Sequence, residues 1–191
     1  MKVRMDDVRI AFCNSLWVAE SFGGAGGTGE PAHAARFIIN PKAKCVKLID
    51  DAILQVATEK WKDKAPAILK KLYADSNVCF VKGDYEDKNG EVYDGFEGSY
   101  SLGARSATRP LVIDRDKTPL VPSDGRPYPG CYVNAQVDIW AQDNSFGRRI
   151  NAQLSGVQFL RDGDAFSGGR PASADEFDDV ADVGEDEDSL V

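Results

Sequence analysis

Apolar and polar positions alternate most regularly between Gly130 and Gly163, GCYVNAQVDIWAQDNSFGRRINAQLSGVQFLRDG. Val133, Ala135, Val137 and Ile139 interleave with Tyr132, Asn134, Gln136, Asp138 and Trp140, and a period of two marks a strand with one buried face. After a turn between Asp143 and Gly147, Ile150, Ala152 and Leu154 alternate with Arg149, Asn151 and Gln153. The two runs predict a β-hairpin with an apolar inner face and an outer face of Tyr, Trp, Arg and amides.

Upstream, the same reading predicts a strand over Asp7 to Cys13, with Val8, Ile10 and Phe12 on one face and an extension through Leu16, Trp17 and Val18. A second strand runs from Ala35 to Asn40. Helical periodicity follows from Val46 to Trp61 and from Ala65 to Tyr73, with Pro66 in a first turn and a stripe of Ile68, Leu69 and Leu72. Strand signals return at Asn77 to Lys82. Asp87-Lys88-Asn89-Gly90 carries the Asn-Gly of a tight turn. Ser99 to Arg105 places Tyr100, Leu102 and Ala104 inward and Ser99, Ser101, Gly103 and Arg105 outward, and RPLVID from Arg109 to Asp114 is another strand. Short strands in an essentially antiparallel pattern, with a two-helix insertion, suggest a small barrel, and among small barrels the oligonucleotide-binding (OB) fold fits best.

Charge divides the chain. Nine of its 31 acidic residues lie between Asp175 and Val191, where there is no Lys or Arg; the remaining 22 face 23 bases, so residues 1–174 carry about +1. The expectation is a near-neutral domain over 1–170 and a disordered, self-repelling acidic tail over 171–191. No apolar run is long enough to span a membrane, and the opening MKVRMDDVRIAF has no uninterrupted apolar stretch of the kind a secretory leader needs, so the expected location is the cytoplasm. Cys13, Cys45, Cys79 and Cys131 are far apart and form no C-x-x-C pair, which favours reduced, partly buried thiols over zinc or disulfides.

Most candidate chemistry falls away on spacing. Gly24, Gly26 and Gly29 satisfy G-x-G-x-x-G, but Pro31 and strand-like ARFIIN follow where a dinucleotide site needs a helix, and no GK[ST] is present. A calcium loop through Asp87, Asn89 and Gly90 would put Tyr85 and Phe96 at positions that require carboxylates. Asp114 and Asp116 form one isolated D-x-D beside Arg115 and Lys117, more suited to a turn than to two-metal chemistry. His33 has no recognisable triad partner. No cofactor or metal is expected, and the chain does not read as an enzyme. What remains is the hairpin's outer face. Flat rings beside cations and amides suit an unpaired nucleic acid strand, whose bases stack and whose phosphates are neutralised with little sequence read, although the same aromatics also suit cross-strand packing.

VRIAFCNSLW, the Gly-rich loop, ARFIINP followed by lysines, GSYSLGARSATRPLVID, PGCYVNAQVDIWA and LSGVQFLRDGDAFSGGR before an acidic end resemble, in that order, a bacteriophage single-stranded DNA-binding protein family. The resemblance covers most of residues 3–180, and RPLVID, GCYVNA and GVQFLRDGDAFSGGR are its most specific parts. It implies an OB fold that binds single-stranded DNA with little sequence preference in phage replication, recombination and repair. It also implies an acidic tail that recruits a polymerase, helicase or recombinase. Tyr132 and Trp140, with Trp17 and Tyr128 from adjoining loops, are then the candidate stacking residues. Arg36, Lys42, Lys44, Arg105, Arg109, Arg148 and Arg149 are the candidate phosphate contacts. Many such tails end in an aromatic residue; this one ends Ser189-Leu190-Val191, so the candidate partner contacts are Phe177, Asp178, Asp179, Glu185, Asp186, Glu187, Asp188 and Leu190. Self-association stays open. The rival readings are a metal-dependent nuclease using Asp114 and Asp116, and an adaptor that works through its tail.

Overall fold

The computed structural model describes residues 1–21 and 29–166. Most of the Gly-rich loop, including Gly24 and Gly26, and the whole acidic tail, including Phe177, Asp178, Asp179, Glu185, Asp186, Glu187, Asp188 and Leu190, lie outside them.

Five strands close into a ring. They are β1 (Lys2–Ala11), β2 (His33–Ile39), β4 (Tyr100–Ser106), β7 (Gly147–Arg161) and β6 (Tyr132–Asn144), in that spatial order, with β6 pairing back to β1. A parallel bridge between Arg105 and Gln153 joins β4 to β7 and completes the ring. The short strand β3 (Phe80–Lys82) adds to β4, and β5 (Leu111–Ile113) adds to β7 in parallel. The pattern is thus not antiparallel throughout: the strand expected at RPLVID returns alongside β7 rather than folding back as a hairpin. The molecule is mainly β, as expected, with the two helices inserted between β2 and β3.

The hairpin of β6 and β7 follows its alternation closely. Val133, Ala135, Val137 and Ile139 are buried, as are Ile150, Ala152, Leu154, Val157 and Phe159. Between Leu154 and Val157 the period slips by one residue, and a bulge between Gln136 and Val137 absorbs it. In β1 a second bulge extends the strand back to Lys2. Val3 and Met5 are out of phase with Val8 and Ile10, and Asp7, at φ 53°, takes up the extra residue so that all four point inward. Sequence alternation alone finds only the half after the bulge. Phe12 departs from expectation: at φ 48° it turns out of the core and is 47% exposed. Beyond it Asn14–Leu16 form a single 3-10 turn, not a continuation of the strand.

α1 (Lys44–Trp61) buries Cys45, Ile49, Ala52, Ile53, Val56 and Ala57 against β1 and β6, and α2 (Ala65–Ala74) packs beside it with Pro66 in its first turn. At the end of α1, the Trp61 Nε1 donates to Asp143 Oδ2 at 2.8 Å, tying that helix to the β6–β7 hairpin, and the Arg148 guanidinium lies 3.2 Å from the same oxygen. The indole hydrogen bond first, and Arg148 with it, hold the Asp143 carboxyl below its ordinary pKa, against a smaller opposing effect of desolvation. A depressed carboxyl contributes its tie above the unfolded-state pKa and loses it as pH falls through the lower, folded value. Near-ultraviolet circular dichroism of the Trp61 environment should therefore change on acidification below the usual carboxylate range. Asp143→Asn should abolish that acid-side change; an identical profile in the variant would contradict the assignment.

The four cysteines are free, and burial pushes the Cys13 and Cys79 thiols up to about 12, which leaves them protonated and unreactive near neutrality.

Candidate nucleic-acid interface

The connection from β3 to β4 folds back over the outside of the ring. Asp87 organises its turn, accepting the backbone N–H of Asn89 at 2.7 Å and of Glu91 at 3.0 Å, while Gly90 supplies the positive φ of 83°. Tyr93 N–H then donates to the Tyr85 carbonyl at 3.0 Å. This geometry brings Tyr85, Tyr93 and Phe96 together with Phe12. Ring centroids lie 5.1 Å apart for Phe12 and Tyr93, 5.5 Å for Tyr85 and Tyr93, and 5.4 Å for Tyr85 and Phe96. Phe96 is buried on Ala11 and Ile38, residues on the outer side of β1 and β2, so the cluster is a second apolar layer distinct from the ring's core. That layer also explains why Ser101, expected to face outward, is buried.

Arg36 runs through this layer. Its Nη1 donates to Ser101 Oγ at 3.0 Å and its guanidinium carbon stands 3.8 Å from the Tyr85 ring centroid. A Cβ at Gly103, its cross-strand partner, would come within 2.9 Å of Nη2. A side chain at 103 would therefore push the guanidinium away from the place where it lies flat on the sheet. Burial pulls the Arg36 pKa below its ordinary value, with Tyr85 and Cys79 acting the other way. Among the described residues no carboxylate pairs with it. A desolvated cation with one neutral hydrogen-bond acceptor and an aromatic face is poised for an anion.

A groove of about 880 Å³ opens beside Arg36, and its lining includes Phe12, Tyr85 and Tyr93 together with Arg105, Trp140, Arg149 and Asn151. Trp140 is 44% exposed there. Of the residues singled out from sequence, Arg36, Arg105, Trp140 and Arg149 meet in this one groove. Phe12, Tyr85, Tyr93 and Phe96 were missed. The available signal was the three aromatics of GDYEDKNGEVYDGFEG, set among acids and glycines where a solvated loop rarely places them.

The other candidates lie elsewhere. Tyr132 sits eight residues from Trp140 on the same strand, about 26 Å away at ~3.3 Å per residue, and Arg161 and Arg9 stand 3.4 and 5.6 Å from its ring centroid. Arg9 also lies 4.4 Å from the Phe166 ring centroid, so Tyr132 belongs to a separate cation–aromatic cluster whose ring is already in contact with arginine. Tyr128 is 4% exposed, and its hydroxyl donates to Asp162 Oδ1 at 2.8 Å and accepts from Gly163 N–H at 3.2 Å. It is not presented to a ligand, because it fastens the end of β7 to the loop before β6. Arg109 stacks on Trp17 at 5.1 Å, outside the groove; Trp17 instead faces a neighbouring hollow with Phe12 and Tyr93. Lys42 and Lys44 are exposed around the start of α1 and do not line the groove, and Arg148 is engaged by Asp143. Asp114 pairs with Arg126 at 3.2 Å and Asp116 accepts the Thr118 N–H at 2.9 Å, which makes D-x-D a turn. His33 Nδ1 is spent on the Ser15 and Leu16 carbonyls at 3.0 and 3.1 Å.

Comparison with known proteins follows the same direction as the geometry. A family model described as the single-stranded DNA-binding protein of Enterobacter phage Enc34 matches residues 1–190. Protein p50 of Acyrthosiphon pisum secondary endosymbiont phage 1 is 40% identical over 191 residues, covering 98% of each chain. The single-stranded DNA-binding protein from bacteriophage Enc34, solved in complex with single-stranded DNA, is 26% identical and superposes with a TM-score of 0.68 over 86% of this chain and 89% of that one. A further structure of the Enc34 protein, at 24% identity, gives 0.66 over 93% and 90% and attests to the shared fold.

Proposed function

The chain belongs to the phage Enc34 single-stranded DNA-binding protein family, and from that premise we propose that it binds single-stranded DNA with little sequence preference along the Arg36–Trp140 groove. The observation that carries the reading is Arg36, a cation withdrawn from water, held on Tyr85 and left without a carboxylate partner among the described residues. A phosphate there would supply the missing charge, while Trp140, Tyr93 and Phe12 offer faces to bases. Arg105 and Arg149 add exposed cations along the path.

The ring order β1, β2, β4, β7, β6, closed by a parallel pairing, supports an OB barrel. In such barrels the second and third strands carry the oligonucleotide. Here those are β2 and β4, which bear Arg36, Ser101 and Gly103. The proposal extends to a role in phage DNA replication, recombination and repair in the host cytoplasm. In that role the chain acts without catalysis or cofactor, and the acidic tail over 171–191 recruits a polymerase, helicase or recombinase.

Fluorescence anisotropy of labelled oligothymidine and of a matched duplex, titrated at two salt concentrations, tests the reading. Tight, salt-weakened binding to the single strand with weak binding to the duplex is expected. Trp140→Ala should lose about 5- to 100-fold in affinity, the worth of one stacked base. Equal binding to both forms, or none to either, would overturn it.

A further inference from the structure

At the tip of the β6–β7 hairpin Phe146 is 87% exposed, the largest value for any bulky apolar side chain among the described residues. Two-residue hairpin tips favour Asn, Asp and Gly, so turn chemistry gives no reason for a phenylalanine here. The tip around it is held firmly. Asn151 Nδ2 donates to Gln142 Oε1 at 3.1 Å, Gln142 Nε2 donates to Asn144 Oδ1 at 3.2 Å, and Asn144 Oδ1 also accepts the Phe146 N–H at 3.0 Å. This chain of amides begins at Asn151, in the groove wall beside Trp140, and ends at the Phe146 backbone. On the opposite face Asp143 ties the hairpin to Trp61. An apolar ring is thus displayed on a braced support rather than left over on a loose turn.

We propose that Phe146 is a stacking platform for a base of single-stranded DNA beyond the groove, extending the binding path to the hairpin tip. The inference rests on the function proposed above. Trp140, Gln142 and Asn144 share one face of β6, and the two-residue turn that carries Phe146 follows directly at the end of that strand, about 13 Å beyond Trp140 at ~3.3 Å per residue. Arg149, paired with Gln142 on the adjoining strand and exposed, lies on the same face and gives the path a cation between Trp140 and the tip.

The test compares wild type and Phe146→Ala on two oligothymidines, a short one that fills only the groove and a longer one that reaches the tip. The variant should bind the short strand as wild type does and lose about 5- to 100-fold on the long one. Phe146→Trp should restore the long-strand affinity and add emission quenching that appears only with the long strand. Wild-type affinity of Phe146→Ala for both lengths would overturn the proposal. So would unchanged intrinsic affinity together with altered sedimentation of the free protein, which would make Phe146 a contact between copies. Failure of the wild type to bind either strand would instead remove the underlying reading.

Discussion

Replacing Arg36 with methionine is expected to lower affinity for single-stranded DNA by about 10- to 100-fold while leaving the free protein as stable as before. A hydrogen bond from a charged donor contributes roughly 1.5–3 kcal/mol where its partner is an anion. In the free protein Arg36 instead has a hydroxyl, a ring face and a desolvation cost that depresses its pKa. An apolar chain of similar length keeps contact with Tyr85 and removes that cost, an exchange that is often neutral or stabilising for buried charges. Ser101 loses its donor, so the double change Arg36→Met/Ser101→Ala removes the stranded hydroxyl as well. The salt dependence should flatten too, by about 0.7 in the slope of log affinity against log salt for one phosphate contact on a single strand. Thermal denaturation and anisotropy across a salt series separate the two effects. A large fall in melting temperature with unchanged DNA affinity would assign Arg36 to the fold instead of the ligand.

A loss of binding without a loss of stability is what distinguishes a site from a core, and the same contrast marks where the sequence was legible. Alternation of Val133, Ala135, Val137 and Ile139 against polar neighbours describes one sheet face and its core, and the structure follows it residue by residue. The helices were equally plain, because a 3.6-residue stripe needs only one partner surface. Alternation does not say what a second layer will cover. Ser101 and Gly103 read as solvent-facing, yet one is buried and the other makes room for Arg36, because a loop seventeen residues long folds over them. The bulge at Asp7 hid the first half of β1 for a related reason: one extra residue inverts the parity on which the reading depends. Ring closure through β4 and β7 is a long-range parallel pairing with no local signature. For the site, residue type pointed to the right chemistry, and position along the strand misled. Trp140 and Tyr132 share a face of β6, but a strand of thirteen residues carries them to two different clusters.

Phe96→Ala should then dismantle the outer layer while sparing the ring. Phe96 is buried against Ala11 and Ile38, with its ring 5.9 Å from Phe12 and 5.4 Å from Tyr85. Truncating a buried phenylalanine costs about 3–5 kcal/mol, more than a loop held by a small apolar cluster can absorb and remain in place. The loss should stay local, since the cluster shares no buried residue with the main core. Amide exchange reports it directly. The Tyr93 and Phe96 N–H groups, which donate to the Tyr85 and Tyr93 carbonyls, should exchange faster by roughly two orders of magnitude. Amides in the β6–β7 ladder should keep their protection. Freed from Tyr85, Arg36 loses the face that orients it, and Tyr93 leaves the groove wall, so single-stranded DNA affinity should fall by at least as much as in Arg36→Met. Equal loss of protection in both regions would show that the aromatic layer and the ring fold as one unit, and that the groove cannot be altered without unfolding the barrel beneath it.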